Sequence, residues 1–504
     1  MRLFSACMSG HSDFWPNDSF TQITLARASN KLFWRKSMAH TGMSNLQLLA
    51  PRMTLQATSL CLKVGLMLRF LLMAVYFLAF LEAGAKTYEV RPAIASEEEE
   101  FEKLANSLGP GDELVLRGGT YSQTGRRAVT VKGSAERPII IRAAESEFPL
   151  LTRPGREGQN NIEFIDCEYL VIRGLKFQGG SSGVRFIRGR YVTFEDCEIF
   201  ETGNNAITMN SGDCDSFVIR RNHIHHTGLT TSRPTEGEGM YIGCHDGSCR
   251  TSNSLIEGNY IHHLRGSSSG GNDGIEIKAG SFGNIVRNNV IHDTNIGTKY
   301  PGIFVYGGGA APNIVEGNAI WNCGEGIQVV SDAIIRNNII FDCEGSGVNA
   351  APHAAMPEVR NTTIVNNTIF NAHVGARLRW SGAENVVFAN NAIFCPAPST
   401  TAIDVDPGAA RFAKNLIGGR VSGVAMDGVR FIDAGTVESA FLDVKAWNFW
   451  PAPNSQLIGG SDPKLAPETD FNGTRRSRTS DVGAYDSGGR ARSPGWKFQP
   501  GFKR

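Results

Sequence analysis

Glu276 and Lys278 are two residues apart in the segment Asn272-Asp-Gly-Ile-Glu-Ile-Lys278, with Ile275 and Ile277 alternating between them. On a strand this period of two places the carboxylate and the amine on one face and the isoleucines on the other. The same alternation recurs along the chain in segments that begin with Gly or Asn, among them Gly183-Val184-Arg185-Phe186, Gly239-Met240-Tyr241-Ile242, Gly302-Ile303-Phe304-Val305-Tyr306 and Gly375-Ala376-Arg377-Leu378-Arg379. With the apolar members inward, one outward column reads Arg185, Thr208, Tyr241, Glu276, Phe304, Gln328, Asn349, Arg377. The next reads Ile187, Asn210, Gly243, Lys278, Tyr306, Val330, Ala351, Arg379. Rungs ~4.8 Å apart gather Tyr241, Glu276, Lys278 and Tyr306 into one patch. Arg185, Tyr241, Gln328, Asn349, Arg377 and Arg379 then suit an extended acidic polymer, offering hydrogen bonds to hydroxyls, charge to carboxylates and aromatic faces to pyranose rings. The alternative is a solvated sheet face on which Glu276 and Lys278 form a surface ion pair of little energetic value.

The acids near this patch are Glu276, Asp273, Glu238 and Glu236, with Asp246 in the following loop. Glu236 and Glu238 belong to the longest insertion of the repeat, Thr227 to Glu238, which also holds Arg233. Long loops on a rigid scaffold often carry function. Hydrolysis of a polysaccharide needs carboxylates converging as acid and base or nucleophile, and the outward columns supply only Glu276, so a hydrolase is disfavoured.

The positioning elements are repeats. Short apolar β-formers followed by an Asn-containing turn recur with Asn222, Asn259, Asn289, Asn318, Asn338, Asn367 and Asn391, and with Gly174 and Asp196 assigned to the same place upstream. The gaps run from 20 to 37 residues. This period, with β-branched strands and no helical segments, predicts an all-β fold, a single-stranded right-handed parallel β-helix solenoid, its hand following from strand twist and crossover preference. Stacked Asn side chains can hydrogen-bond along such a ladder and tolerate left-handed backbone. Ser96-Glu97-Glu98-Glu99 reads as a capping box, and Phe101, Leu104, Ala105 and Leu108 as the apolar stripe of an N-terminal capping helix. The expected organisation is a leader foreign to the fold over 1–66, a signal peptide at 67–85, a cap at 86–110, the β-helix at 111–400, and its end and tail at 401–504.

The signal-peptide reading rests on Met67-Leu68-Arg69, an apolar run of 12 residues from Phe70 to Leu81, and Ala83-Gly84-Ala85. The run is short for a membrane span, which needs ~20 residues. Export to the periplasm, cell surface or medium follows, as a monomer free of the membrane after cleavage; a retained signal anchor is the alternative. Lysine plus arginine (50) nearly cancels aspartate plus glutamate (49), which argues against nucleic acid as a partner. Cys244 and Cys249 can close a small loop in an exported chain, and Cys323 and Cys343 either stack as thiols or bond. No pair of CxxC motifs marks a structural zinc site. His225, His262 and His292 each lie three residues after a ladder Asn, where later coils put Trp321, Phe341, Phe370 and Phe394. They read as one stacked structural column; metal binding by His225, His226, His262 and His263 is the other reading.

Glu238-Gly-Met-Tyr-Ile-Gly243, Ser254-Leu-Ile-Glu-Gly-Asn259-Tyr-Ile-His-His263, Asn272-Asp-Gly-Ile-Glu-Ile-Lys278 and Asn284-Ile-Val-Arg-Asn-Asn289 follow one another in an order that resembles the alginate lyase and chondroitinase B family of polysaccharide lyases. More loosely, the chain from about Asn160 to Phe394 resembles the pectate lyase-like β-helices at large. The resemblance implies that acidic residues, here Glu276 with Asp273 or Glu238, hold a calcium ion against a uronate carboxylate. It likewise implies that Lys278 removes the proton at C5. The sequence departs from the family where the lysine follows the acid more closely, and where Val305-Tyr306-Gly307 stands in the rung expected to supply an arginine. Tyr306 then takes the assisting role. The implied activity is β-elimination on a uronate polysaccharide; the alternatives are a non-catalytic glycan-binding scaffold and a C5-epimerase, which shares the proton abstraction.

Overall fold

The computed structural model describes residues 84–503 apart from 93–99, 233, 235, 268–269, 407 and 490–498. The leader, nearly all of the signal segment, the capping box at Ser96–Glu99 and Arg233 therefore lie outside the described residues. The described chain winds into a solenoid whose coils contribute strands to three parallel sheets of 15, 12 and 13 strands. The first sheet runs from Thr87–Val90 to Arg411–Ala413, the second from Ala128–Val129 to Val421–Ser422, and the third from Gly119–Ser122 to Phe431–Asp433. Strands join the solenoid before residue 111 and after residue 400, so the repeat continues beyond Phe394, where its sequence signal fades. A helix, α1 (Glu100–Ser107), buries Phe101 and Ala105, and its Glu102 accepts from the Ala128 amide that opens the second sheet.

Alternation on the second sheet explains the packing. Ile275, Ile277, Ile303, Val305, Ile327 and Val329 point inward and are fully buried. Most coils, those of Gly183, Gly239, Gly274, Gly302, Gly326, Gly347 and Gly375, enter this sheet through a glycine for a steric reason. A Cβ on Gly274 would lie 2.4 Å from the carbonyl oxygen of Gly302, and one on Gly326 the same distance from Gly347 O and 2.3 Å from Ile340 Cγ2. At these coils the stacked neighbour leaves no room for a side chain.

Beside the entry to the third sheet, the Asn ladder runs unbroken from Asn222 to Asn415. From Asn259 onward each side-chain oxygen accepts from the backbone N–H and the side-chain amide of the Asn one coil earlier, as Asn289 Oδ1 does from Asn259 N and Nδ2, both at 2.9 Å, while Asn222 Oδ1 accepts from Cys197 N. Two details of the sequence reading change. The positive-φ residue is the one before each ladder Asn, for example Asn288 (56°), Asn337 (55°) and Asn390 (56°). Gly174 and Asp196 align with those residues and not with the ladder, because Glu195 pairs with Arg220 and Glu198 with His223, which sets Cys197 opposite Asn222. A second, shorter ladder, Ser254–Asn284–Asn313, flanks the first sheet.

Candidate functional site

Strand register builds the outward column in the order read from the sequence. Arg185 pairs with Thr208, Thr208 with Tyr241, Tyr241 with Glu276, Glu276 with Phe304, Phe304 with Gln328, Gln328 with Asn349, and Asn349 with Arg377. The column extends one rung further at each end, to Glu163 and Asp404. Seven rung spacings separate Arg185 from Arg377, ~34 Å at ~4.8 Å each.

At the centre, Lys278 Nζ ion-pairs with Glu276 Oε1, and Tyr306 OH donates to the same oxygen at 3.1 Å. The ammonium sits 4.2 Å from the Tyr241 ring centroid and 5.1 Å from that of Tyr306, a cation–π clamp from the rungs on either side. Glu238 and Asp273 close on Glu276 so that one oxygen from each lies within 4.8 Å of the others. Asn205, with its amide nitrogen turned toward the acids, donates to Glu238 Oε2 at 2.8 Å. The structure thus brings together Glu238, Asp273, Glu276, Lys278, Tyr241 and Tyr306. Asp246 is not among them: it is exposed in the Cys244–Cys249 disulfide loop, where its carboxylate accepts from Ser248.

The convergence of three carboxylates removes the ground on which hydrolysis was disfavoured, since Glu238 and Asp273 reach the column from outside it. Their spacing now argues against hydrolysis differently. Glycosidase carboxyl pairs stand ~5–9.5 Å apart to leave room for sugar and water, whereas these oxygens crowd one point. Glu238, Asp273, Glu276 and Lys278 are each no more than 4% exposed, which corrects the expectation of an open surface patch. Three ionised carboxylates and one ammonium leave a net charge of −2 in a dry place, which proteins avoid by protonation or by a cation. Burial pushes the Glu238 carboxyl up to about 8, reinforced by the Glu276 charge. Burial, then Glu276 and Glu238, raises Asp273 as well, and burial raises the phenols of Tyr241 and Tyr306.

Glu276 Oε2 and Asp273 Oδ1 are buried with no hydrogen-bond partner. An all-oxygen donor set with orphaned atoms fits a hard cation such as calcium. Further buried polar atoms without partners line the same sheet face: Arg185 Nε, Thr208 Oγ1, Asn210 Oδ1, Asn349 Oδ1 and Arg377 Nε. Of the expected polymer-binding residues, Arg185 also bonds Ser211, Asn349 donates to Glu325 at 3.0 Å, and Arg379 is held by Asp404 Oδ2 at 2.5 Å. Gln328 and Arg377 are half-buried on the column.

His353 is the residue that sequence reading missed. It lies in the loop after Ser346–Ala350, its ring edge-on to Tyr306 at 4.9 Å and to Phe304 at 5.6 Å, and its Nδ1 accepts from the Ala355 amide at 3.1 Å. Met356 in the same loop bridges back to His353. Nothing in the spacing of the repeat marks this residue, because inter-strand loops carry no period.

The histidines on the third sheet stack as expected. Register runs Phe200, His225, His262, His292, Trp321, Phe341, Phe370, Phe394, with His225 and His262 rings 5° from parallel and His262 and His292 rings 7°. Burial, then His225, brings His223 down to about 4. Burial, then His292, brings His262 to about 2. Cys323 and Cys343 are buried free thiols.

Residues 151–269 and 249–393 match the family model described as right handed beta helix region. No curated protein matches the sequence. Among solved structures, an alginate lyase from Paenibacillus sp. str. FPU-7 is 20% identical over 67% of this chain and 99% of its own, with a TM-score of 0.47. The pectate lyase Pel9A is 13% identical over 80% and 97%, with a TM-score of 0.48. The A-module of the mannuronan C-5 epimerase AlgE4 from Azotobacter vinelandii is 16% identical over 64% and 91%, with a TM-score of 0.41. The parallel three-sheet winding, the Asn ladder and the family-model match agree: the described chain folds as a right-handed parallel β-helix.

Proposed function

We propose that this protein is an exported polysaccharide lyase that cleaves a uronate-containing polysaccharide by β-elimination. The observation that carries the reading is the buried cluster Glu238–Asp273–Glu276 wrapped around Lys278 and Tyr306, with orphaned carboxylate oxygens, midway along a line of unpaired polar atoms. Glu238, Asp273 and Glu276 would hold calcium, which when bound neutralises a substrate carboxylate and stabilises the charge that develops as the adjacent carbon loses its proton. Net charge in the cluster then falls from −2 to zero.

In this reading Lys278 first gives its ammonium proton to solvent and then, as the neutral amine, takes the C5 proton; the C5–H electrons form the C4–C5 double bond, and the bond from C4 to the glycosidic oxygen breaks. Tyr306, whose hydroxyl already donates at 3.1 Å, supplies a proton toward the departing oxygen. Tyr241 and Tyr306 hold the amine between their rings and fix its position. Arg185, Gln328, Asn349 and Arg377 bind the polymer along the rungs, while Arg379 serves through its pair with Asp404. His353, edge-on to Tyr306 at 4.9 Å, borders this end of the cluster.

The near-complete burial of Lys278 favours a second reading, a glycan-binding scaffold in which the same cluster is only a structural tie. Incubating mature protein with alginate, pectate, chondroitin and dermatan sulfate, with calcium or chelator, decides between them. Calcium-dependent ultraviolet absorbance from an unsaturated uronate supports the lyase; polymer binding without that signal supports the scaffold.

A further inference from the structure

Away from the second sheet, six of the chain's histidines crowd the outer face of the third. His223, His225 and His226 lie on one coil, His262 and His263 on the next, and His292 on the one after. Glu198, on the coil before, enters the same space: its Oε1 lies 3.2 Å from His225 Nε2 and 3.6 Å from His223 Nδ1. Its other oxygen is held by Lys176 Nζ at 2.6 Å. Ordinary aromatic stacking explains His225, whose ring continues the column, but not why two ring nitrogens and a carboxylate oxygen converge at its edge.

The spacing has a chemical meaning. Zinc binds imidazole nitrogen at ~2.0–2.1 Å in tetrahedral geometry, so neighbouring ligand atoms stand ~3.3 Å apart. The two measured separations bracket that edge. The remaining ring nitrogens are tied back in the way metal-bound histidines usually are: His225 Nδ1 to His226 Nδ1 at 2.7 Å, and His223 Nε2 to His262 Nε2 at 2.9 Å. One set of tautomers satisfies every contact between imidazoles, and a cation would then take the place of the proton that otherwise links His225 Nε2 to Glu198. His225 donates from Nδ1 to His226, His223 donates from Nε2 to His262, and His262 donates from Nδ1 to His263 Nδ1 at 2.7 Å. Both nitrogens facing Glu198 are then unprotonated, as ligation requires. The three side chains are only partly buried, and Glu198 and His223 line a cleft of about 530 Å³ with Arg173, Lys176 and Arg221, so a fourth position is open to water or a ligand.

From this convergence we propose that Glu198, His223 and His225 form a binding site for a zinc-type divalent transition metal, separate from the all-oxygen cluster at Glu276 and tying together two coils. The donor set separates the two sites by chemistry: imidazole suits zinc, and the carboxylate trio suits calcium.

The test uses untagged, chelator-stripped protein titrated with cobalt as a spectroscopic probe and with zinc by competition. The expected result is one site with the strong visible absorption of tetrahedral cobalt, displaced by zinc, and a higher melting temperature on zinc addition. His225→Phe is chosen because the column itself places Phe200 and Phe341 at equivalent positions, and Glu198→Gln because it preserves shape. Each should weaken zinc binding at least ~10–100-fold, whereas His292→Phe, three coils from Glu198, should leave it unchanged. If one variant fails to fold, as judged by circular dichroism, the other carries the test. Absence of tetrahedral cobalt absorption overturns the proposal. So does zinc affinity unchanged in the folded variants, or lost equally in His292→Phe, which would place the ion at His263, His292 and Asp293.

Discussion

Replacing Asn289 by leucine should destabilise the β-helix by more than one ordinary hydrogen bond, and the structure fixes how much. Asn289 Oδ1 accepts from Asn259 N and Nδ2, and its Nδ2 donates to Ile256 O and Asn318 Oδ1, both at 3.0 Å. Asn259 Nδ2 retains Ile219 O, and Asn318 Oδ1 retains Asn289 N. The Asn259 backbone N–H loses its partner, however, in a place with no exposed surface. One orphaned buried donor costs ~1–3 kcal/mol, and three further lost bonds at ~0.5–1.5 kcal/mol each bring the total to ~2.5–7.5 kcal/mol. Urea or thermal unfolding monitored by circular dichroism measures this directly, with calcium binding at the Glu276 cluster as the check that neighbouring coils remain wound. A loss below ~1 kcal/mol would mean that the backbone carries the turns by itself, and the ladder argument would be wrong.

Three further outcomes follow from the site. Glu238, raised from 4.5 to about 8 in the folded chain, contributes stability that is fully present below its unfolded value and lost as pH rises through about 8; chelated protein should therefore melt progressively lower between pH ~5 and ~9, and calcium should restore most of the loss at the alkaline end. Equal melting curves with and without calcium at pH ~9 would contradict this. Tyr306→Phe removes the hydroxyl that donates to Glu276 and should cost ~0.5–3 kcal/mol of stability, while lowering kcat at least ~10-fold with little change in KM; undiminished turnover would strip Tyr306 of its role. Arg377→Ala should raise KM for the polymer with kcat retained, whereas Arg379→Ala, which breaks a partly exposed pair with Asp404, should change stability by no more than ~1 kcal/mol; an unaltered KM in the first variant removes Arg377 from the binding face.

The coil register was legible because two periods are written into the chain. The Gly-led alternation places Arg185 through Arg377 on one column, and the Asn spacing aligns the coils that carry them. What stayed hidden follows from the limits of a period. The αL residues lie one position before the ladder, and only strand pairing distinguishes Asp196 from Cys197 as the partner of Asn222's rung. Glu238 and Asp273 sit at strand entrances, so alternation says nothing about where their carboxylates go. Their convergence on Glu276 comes from the stacking of two consecutive coils. The contact of His353 with Tyr306 was invisible for a related reason, since His353 belongs to a loop with no repeat. The histidine column was readable as stacking from its aromatic successors; Glu198, one coil upstream and separated from them by a turn, was not.

The central claim is that Lys278 abstracts a proton within a cation-binding carboxylate cluster. The most direct measurement is the rate of unsaturated uronate formation by Lys278→Ala beside the parent, each with saturating calcium and each shown to be folded by circular dichroism and by retained polymer binding. The account predicts product from the parent on at least one of alginate, pectate, chondroitin or dermatan sulfate, and none above background from Lys278→Ala. Equal rates in the two proteins, or polymer bound by both with no unsaturated product from either, would contradict it and leave the cluster as a structural tie in a glycan-binding β-helix.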